Sequence, residues 1–290
     1  MRNEHLNKIN VSFEFFPPKD SVMENSLWKN LRRLEPLEPQ FISVTYGAGG
    51  STRDRTHKLV KQIKLNTKLE PAAHLTCIGS NVYEIEEIAE QYWDDGIRHI
   101  VALRGDIPEE NSHLDERLKY ATDLIKLLKK KRDFEITVSA YPECHPDSLS
   151  MNQEFEILKK KIDLGATRAI TQFFFDTSKY LKFIEIAQKK NINIPIIPGI
   201  LPISNFNKTL KFANSTNCKI PKWLTEMFNG LEKDFETRKL VAASIATEQC
   251  KQILKEGVEE FHFYTLNRSD LTFAICHLLG VKKLGANTNA

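Results

Sequence analysis

The stretch Glu135-Ile136-Thr137-Val138-Ser139-Ala140-Tyr141 alternates strictly between apolar and polar side chains. A period of two marks a β-strand with one face buried under another layer. A helical pattern follows at 155–164 and a second short apolar run at 168–175. Strand, helix and strand in that order are the repeating unit of α/β architecture. Further short runs lie at 11–17, 41–47, 71–77, 100–106, 194–200 and 261–266, and further helical patterns at 82–94, 116–131 and 179–190. Residues 205–256 hold several helices, punctuated by Pro221 and Gly230.

Eight strand runs, each followed by helix, predict a (β/α)8 TIM barrel. The expectation is a single catalytic domain over residues 1–290, extra helices before the last strand, and flexible termini at 1–9 and 282–290. A doubly wound open sheet competes. Its phosphate signature is incomplete, because Gly47-Ala48-Gly49-Gly50-Ser51-Thr52 lacks the third glycine of a dinucleotide fingerprint and carries no Walker lysine. That segment reads as a βα loop.

The chain has 290 residues, with 41 Lys and Arg against 38 Asp and Glu. A net charge of +3 gives no bulk attraction to nucleic acid or membrane. The Lys-rich runs 129–131 and 159–161 fall on helical patterns and read as solvated faces. Five scattered cysteines without a C-x-x-C fit a reducing, cytoplasmic setting. The polar residues 1–10 lack a signal core. No run approaches the roughly 18 apolar residues of a membrane span.

Parity sorts the strands. Ile136, Val138 and Ala140 oppose Thr137, Ser139 and Tyr141; Ile42 and Val44 oppose Ser43 and Thr45; Phe13 and Phe15 oppose Ser12 and Glu14; Val101 and Leu103 oppose Arg104 and Asp106. Helices are expected over the apolar faces, which sends the polar ones into the barrel, whose active site forms at the carboxyl ends of the strands. Glu14, inside Phe13-Glu14-Phe15-Phe16, is the sharpest signal. A carboxylate there needs a partner, hydrogen bonds or a proton. An ion pair with Arg104 or Arg268 is one solution; a raised pKa suited to general-acid work is the other. Asp106 follows Gly105, which lets a flat ligand approach the backbone, although a turn Asp is the plainer reading. His74 and His145 sit at strand ends, as ligand-facing groups or as hydrogen-bonded core histidines. His74, Asp106 and His145 have no reinforcing metal-ligand spacing, so no metal is expected. No strand end carries a Schiff-base lysine. What remains is a Tyr, Phe, Gln, Thr and His pocket with two carboxylates, which suits a flat heteroaromatic ligand that needs proton transfer.

Several strings occur in order: Val11-Ser12-Phe13-Glu14-Phe15-Phe16-Pro17-Pro18, Ser43-Val44-Thr45-Tyr46-Gly47-Ala48, Ala73-His74-Leu75-Thr76-Cys77, Ala102-Leu103-Arg104-Gly105-Asp106, Ala140-Tyr141-Pro142-Glu143 with His145-Pro146, Ile170-Thr171-Gln172-Phe173-Phe174-Phe175-Asp176, Pro198-Gly199-Ile200-Leu201-Pro202 and Phe261-His262-Phe263-Tyr264-Thr265-Leu266-Asn267-Arg268. Together they resemble methylenetetrahydrofolate reductases of the short bacterial kind, from about residue 10 to 280. The resemblance implies FAD on a TIM barrel, with NADH or NADPH as donor. It implies ping-pong reduction of 5,10-methylenetetrahydrofolate to 5-methyltetrahydrofolate for methionine synthesis, in a cytoplasmic homo-oligomer that is often a tetramer. Residue by residue, Glu14 matches the general acid and Asp106 the carboxylate beside the flavin. Thr45, His74, Arg104, Gly105, Asp106, Tyr120, Ala121, Tyr141, His145 and Lys161 match FAD-contacting positions. Glu14, Gln172, Phe212 and Arg268 match substrate-contacting ones. Glu154, Ile157 and Lys208 depart from the family's usual contacts.

Overall fold

A computed structural model describes residues 9–47, 52–78, 80–105 and 118–281. Asp106, most of the Gly47–Thr52 segment and, apart from Ile9, both expected flexible termini lie outside the described residues.

The strands and helices alternate in chain order: β1 (Asn10–Phe15), α1 (Ser21–Leu34), β2 (Ile42–Val44), α2 (Arg53–Asn66), β3 (Pro71–Thr76), α3 (Val82–Asp94), β4 (His99–Leu103), α4 (Ala121–Lys131), β5 (Glu135–Ala140), α5 (Met151–Asp163), β6 (Arg168–Thr171), α6 (Thr177–Lys189), β7 (Ile196–Ile197), β8 (Gly199–Ile200), α7 (Phe206–Ser215), α8 (Lys222–Phe228), α9 (Phe235–Lys255), β9 (Glu260–Tyr264) and α10 (Asp270–Leu278). Every strand pairing is parallel, in the order β7-β6-β5-β4-β3-β2-β1-β9-β8.

The run 194–200 closes the circle in two pieces. Its first half pairs with β6 and its second with β9. Pro195 and Pro198 have no N–H to give a ladder, so each offers only its carbonyl, to Ala169 and to His262 respectively. Read as one broken strand, β7 and β8 complete the eight of a nearly closed (β/α)8 barrel. Three helices, α7 to α9, precede the last strand.

Two apolar cores follow from strand parity. Phe13, Phe15, Ile42, Val44, Ile136 and Val138 face outward under the helices. Inside the barrel, Phe41, Ala72, Val101, Ile170 and Ile197 form a second, small cluster. The expected facing of the fourth strand is therefore corrected. Val101 and Leu103 point inward, whereas Ile100 and Ala102 join the outer core. A small barrel must fill its own interior with side chains. Arg104 and Gly105 come after the strand ends and owe their place at the mouth to the turn.

Local caps fix the helices that carry site residues. Ser150 accepts from the Gln153 N–H at the start of α5, and Asn205 accepts from the Lys208 N–H at the start of α7. Among the described residues, no helix is long and apolar enough to cross a membrane.

Candidate active site

At the carboxyl ends of the strands the barrel opens into a cavity of about 390 Å³, within the range of small-molecule sites. Glu14, Thr45, His74, Tyr141, Gln172 and Phe212 all line it. Sequence reading therefore brings six of its candidates to one place.

Glu14 is the penultimate residue of β1, with its side chain 20% exposed. One carboxylate oxygen lies 3.5 Å from His74 Nε2 and 3.9 Å from His262 Nε2. Both separations exceed a good hydrogen bond, and both ring nitrogens are buried without a hydrogen-bond partner. Neither arginine reaches Glu14: Arg104 pairs with Asp147 at 2.6 Å, and Arg268 is exposed on the loop after β9. Burial pushes the His74 pKa below its ordinary value, opposed by the Glu14 charge. Burial therefore disfavours the imidazolium at His74, and among the described residues no Lys or Arg pairs with Glu14.

Deeper in the barrel, Ser12 Oγ and His262 Nδ1 are 2.8 Å apart, and His99 Nε2 lies 2.7 Å from Thr137 Oγ1. Burial lowers the His99 pKa to about 3, which makes it a neutral, hydrogen-bonded core histidine. His262 and Tyr264 escaped the sequence reading. The signal was present, because Phe261 and Phe263 face the outer core and the alternation sends 262 and 264 inward. Tyr264 lines the cavity beside Glu14, its register partner, and donates from its phenol to the Thr171 carbonyl at 2.7 Å.

Gln172 accepts the Phe173 N–H on its own Oε1 at 3.0 Å. Its NH₂ group is thereby left for the cavity it lines. Phe212, on α7, is 42% exposed and forms the outer wall.

A second group gathers beside the cavity, around the mouth of β4 and β5. Gly105 has φ +88°, and a Cβ there would meet Thr76 Cβ at 2.9 Å. Arg104 lies next to it. His145 packs edge-on against Tyr141 at 4.7 Å. Its backbone N–H donates to Glu154, which is buried in α5. Lys161, also buried, donates to the Ser139 carbonyl at 3.1 Å. Burial lowers the His145 pKa, opposed by Asp147. Tyr120 and Ala121 stand at the start of α4, away from the cavity lining, with Tyr120 exposed. Ile157 is half-buried in α5, and Lys208 is exposed on α7.

Lys161 gives a stability prediction. Burial lowers its pKa from 10.5 to about 8, opposed by Glu154. Between those values the unfolded chain binds more protons than the folded one, so this group makes folding more favourable as pH rises. The wild type is expected to gain stability relative to Lys161→Met as pH climbs from 8 towards 10.5. Parallel Tm-against-pH curves for the two proteins would contradict it.

Among the described residues no group of three or more His, Cys, Asp or Glu side chains is placed to hold a metal ion. The chemistry on offer is a carboxyl between two imidazoles, an amide donor, and aromatic and aliphatic walls.

Comparison with known proteins agrees. The family model for methylenetetrahydrofolate reductase matches residues 2–280. A 5,10-methylenetetrahydrofolate reductase of Pectobacterium carotovorum is 55% identical over 275 residues, covering 95% of this chain and 91% of that protein. Its counterpart in Escherichia coli (strain K12) is 54% identical over 275 residues, covering 95% and 92%. Among solved structures, a Clostridium thermocellum protein described as binding two copies of 5-methyl-5,6,7,8-tetrahydrofolic acid shares the fold with a TM-score of 0.64. It has 18% identity and 94% coverage of both chains. The chain belongs to the methylenetetrahydrofolate reductase family.

Proposed function

We propose that the chain reduces 5,10-methylenetetrahydrofolate to 5-methyltetrahydrofolate with NADH or NADPH, in ping-pong fashion through FAD. The observation that carries this reading is Glu14. It is a carboxyl inside an aromatic strand, facing a ligand-sized cavity, beside the buried His74 and, among the described residues, without a Lys or Arg partner.

The residues fit the cofactor. The glycine at 105 leaves the strand end open where a Cβ would fill it, and the orphaned His74 Nε2 supplies a polar group with nothing else to bond. Thr45, His74, Gly105 and Tyr141 would hold the ring system. Arg104, His145 and Lys161 would meet the anionic remainder, with Tyr120 and Ala121 at its far end. When bound, FAD supplies hydride transfer from nicotinamide to folate.

The chain's own residues do the rest. Opening the five-membered ring of the folate needs a proton on a weakly basic nitrogen, and Glu14 is placed to deliver it. The ring-opened iminium is cationic, so the Glu14 carboxylate left behind also stabilises it, a role shared by Asp106 in this reading. Gln172 and Phe212 orient the flat ligand, by hydrogen bonding and by stacking. Arg268, a cation beyond the lining residue Leu266, suits the carboxylate tail of a folate. Holding the reacting atoms in register is worth several powers of ten in rate. The homo-oligomer and cytoplasmic setting are carried over with the family resemblance. Five free cysteines, four of them buried, support the latter.

The test is direct. The purified protein is expected to release FAD on denaturation and to form 5-methyltetrahydrofolate from the methylene substrate with NADH or NADPH. A protein that binds no flavin in an excess of FAD, or that makes no product when loaded, would contradict the reading.

A further inference from the structure

We infer that Glu143 and Asn217 form a clasp that sets the width of the ligand slot, and so act as positioning residues for Phe212. The inference rests on the function proposed above for the identity of the ligand. Two walls of the cavity come from distant parts of the chain. One is the segment after β5, which carries Tyr141 and His145. The other is α7 and the residues that end it, which supply Phe212 and Thr216. No strand pairing joins them.

They meet just beyond the cavity. The Asn217 side-chain amide donates to the carbonyls of Glu143 at 3.3 Å and Cys144 at 3.2 Å. The Glu143 carboxylate also accepts the Lys219 N–H at 3.2 Å. All three bonds run the same way: the residues that follow α7 donate, and the segment after β5 accepts. The other Glu143 oxygen, Oε1, is buried without a hydrogen-bond partner, and the Cys218 thiol lies against the same carboxylate. The backbone is bent on both sides to make the contact: Cys144 has φ +73° and Asn217 φ +58°. Asn tolerates that region, but Cys rarely enters it unless tertiary contacts impose it.

The clasp matters because α7 is otherwise lightly held. Its buried residues are Thr209 and Ala213, its N-terminal end is held by Phe206 stacked on Phe228 at 5.0 Å, and Phe212 at the other end stands partly in solvent. A helix with so little buried surface is drawn from the low-stability end of a fold. Three hydrogen bonds at its C-terminal end tie it to the segment bearing Tyr141. They fix the distance between Phe212 and the opposite wall before a ligand enters, which removes an ordering cost from binding.

The experiment uses the full, FAD-loaded chain with Glu143→Ala, Asn217→Gly and the double variant. Glycine at 217 keeps the left-handed backbone available while it deletes the amide. Both single variants are expected to raise KM for methylenetetrahydrofolate about three- to tenfold, the effect of losing roughly one net hydrogen bond, with kcat changed by less than about twofold. Amide hydrogen exchange is expected to quicken across Phe206–Ser215, and the double variant to fall short of the product of the single effects, because Glu143→Ala removes the Lys219 bond and Asn217→Gly the two amide bonds of one junction. An unchanged KM and unchanged exchange overturn the inference. So does a parallel loss of kcat, flavin content and Tm, which marks a merely structural role, or strictly additive effects. If the wild type fails to turn over the folate, the proposed function fails, while the exchange measurement still reads the clasp.

Discussion

Replacing Glu14 with Gln is expected to slow the folate half-reaction severely while sparing the nicotinamide half-reaction. The amide keeps the shape of the side chain at the end of β1, so the strand, its pairing with Ser43 and Tyr264, and the cavity wall persist. What disappears is the transferable proton. General acid catalysis contributes about 10²- to 10⁴-fold, and the folate rate is expected to fall within that range. Donation of a hydride by nicotinamide calls on no proton from residue 14, so flavin reduction stays within about threefold, as for loss of a minor binding contact. Stability is expected to change little, because the amide is nearly isosteric with a side chain that makes no well-formed hydrogen bond. Stopped-flow traces of each half-reaction decide it. Equal losses in both would remove Glu14 from the role of acid and make it a general architectural residue.

The second large effect is expected at Gly199. Its value to the fold is the absence of a side chain. A Cβ built there would fall 2.2 Å from the Thr171 carbonyl oxygen and 2.6 Å from the Tyr264 ring. The first neighbour is backbone and cannot rotate away. The second is anchored by its own hydroxyl to that same Thr171 carbonyl. The Gly199 N–H also donates to Thr171 Oγ1 at 2.9 Å in the short strand that closes the barrel. Gly199→Ala therefore has to open β8 or drive Tyr264 into the cavity. Overpacking costs typically about 1–3 kcal/mol, and more against rigid backbone. With a sensitivity of roughly 2–4 °C per kcal/mol, a Tm loss of about 5–10 °C is expected. The surviving folded fraction is expected to bind folate weakly. Removing the ring in Gly199→Ala/Tyr264→Ala is expected to recover less than half of the Tm loss, because the backbone clash remains. An unchanged Tm in Gly199→Ala would show that the closure of the barrel is looser than the geometry implies.

Much of this was legible beforehand because closed barrels write themselves in period two. The run 135–141 and the run 11–17 gave both strand and facing, and placed Thr137, Ser139, Tyr141 and Glu14 on the inner side. Two features defeated alternation. In the fourth strand the inward residues are apolar, since the interior needs Val101 beside Phe41, Ala72, Ile170 and Ile197. Polarity is therefore no guide to facing where a barrel fills itself. In the seventh, prolines at 195 and 198 break the ladder, so one run yields two fragments. Candidate residues within strands or at their ends, such as Glu14, His74 and Gln172, came together in the cavity. Candidates on connecting segments are scattered by comparison: Arg268 and Tyr120 are exposed outside its lining. The approach of Glu14 to His262 depends on β1 and β9 lying side by side, although their Ser12 and His262 are 250 residues apart in sequence. Local pattern reading cannot reach such a pairing without the register of the closed sheet.

The central claim is that Glu14 faces a site where a flavin and a folate are handled in turn. It is tested most directly by the visible spectrum of the purified, FAD-loaded chain under anaerobic conditions. NADH or NADPH is expected to bleach the flavin absorbance, and methylenetetrahydrofolate added afterwards to restore it. A flavin that bleaches but never recovers with the folate, in the wild-type chain, would contradict the account.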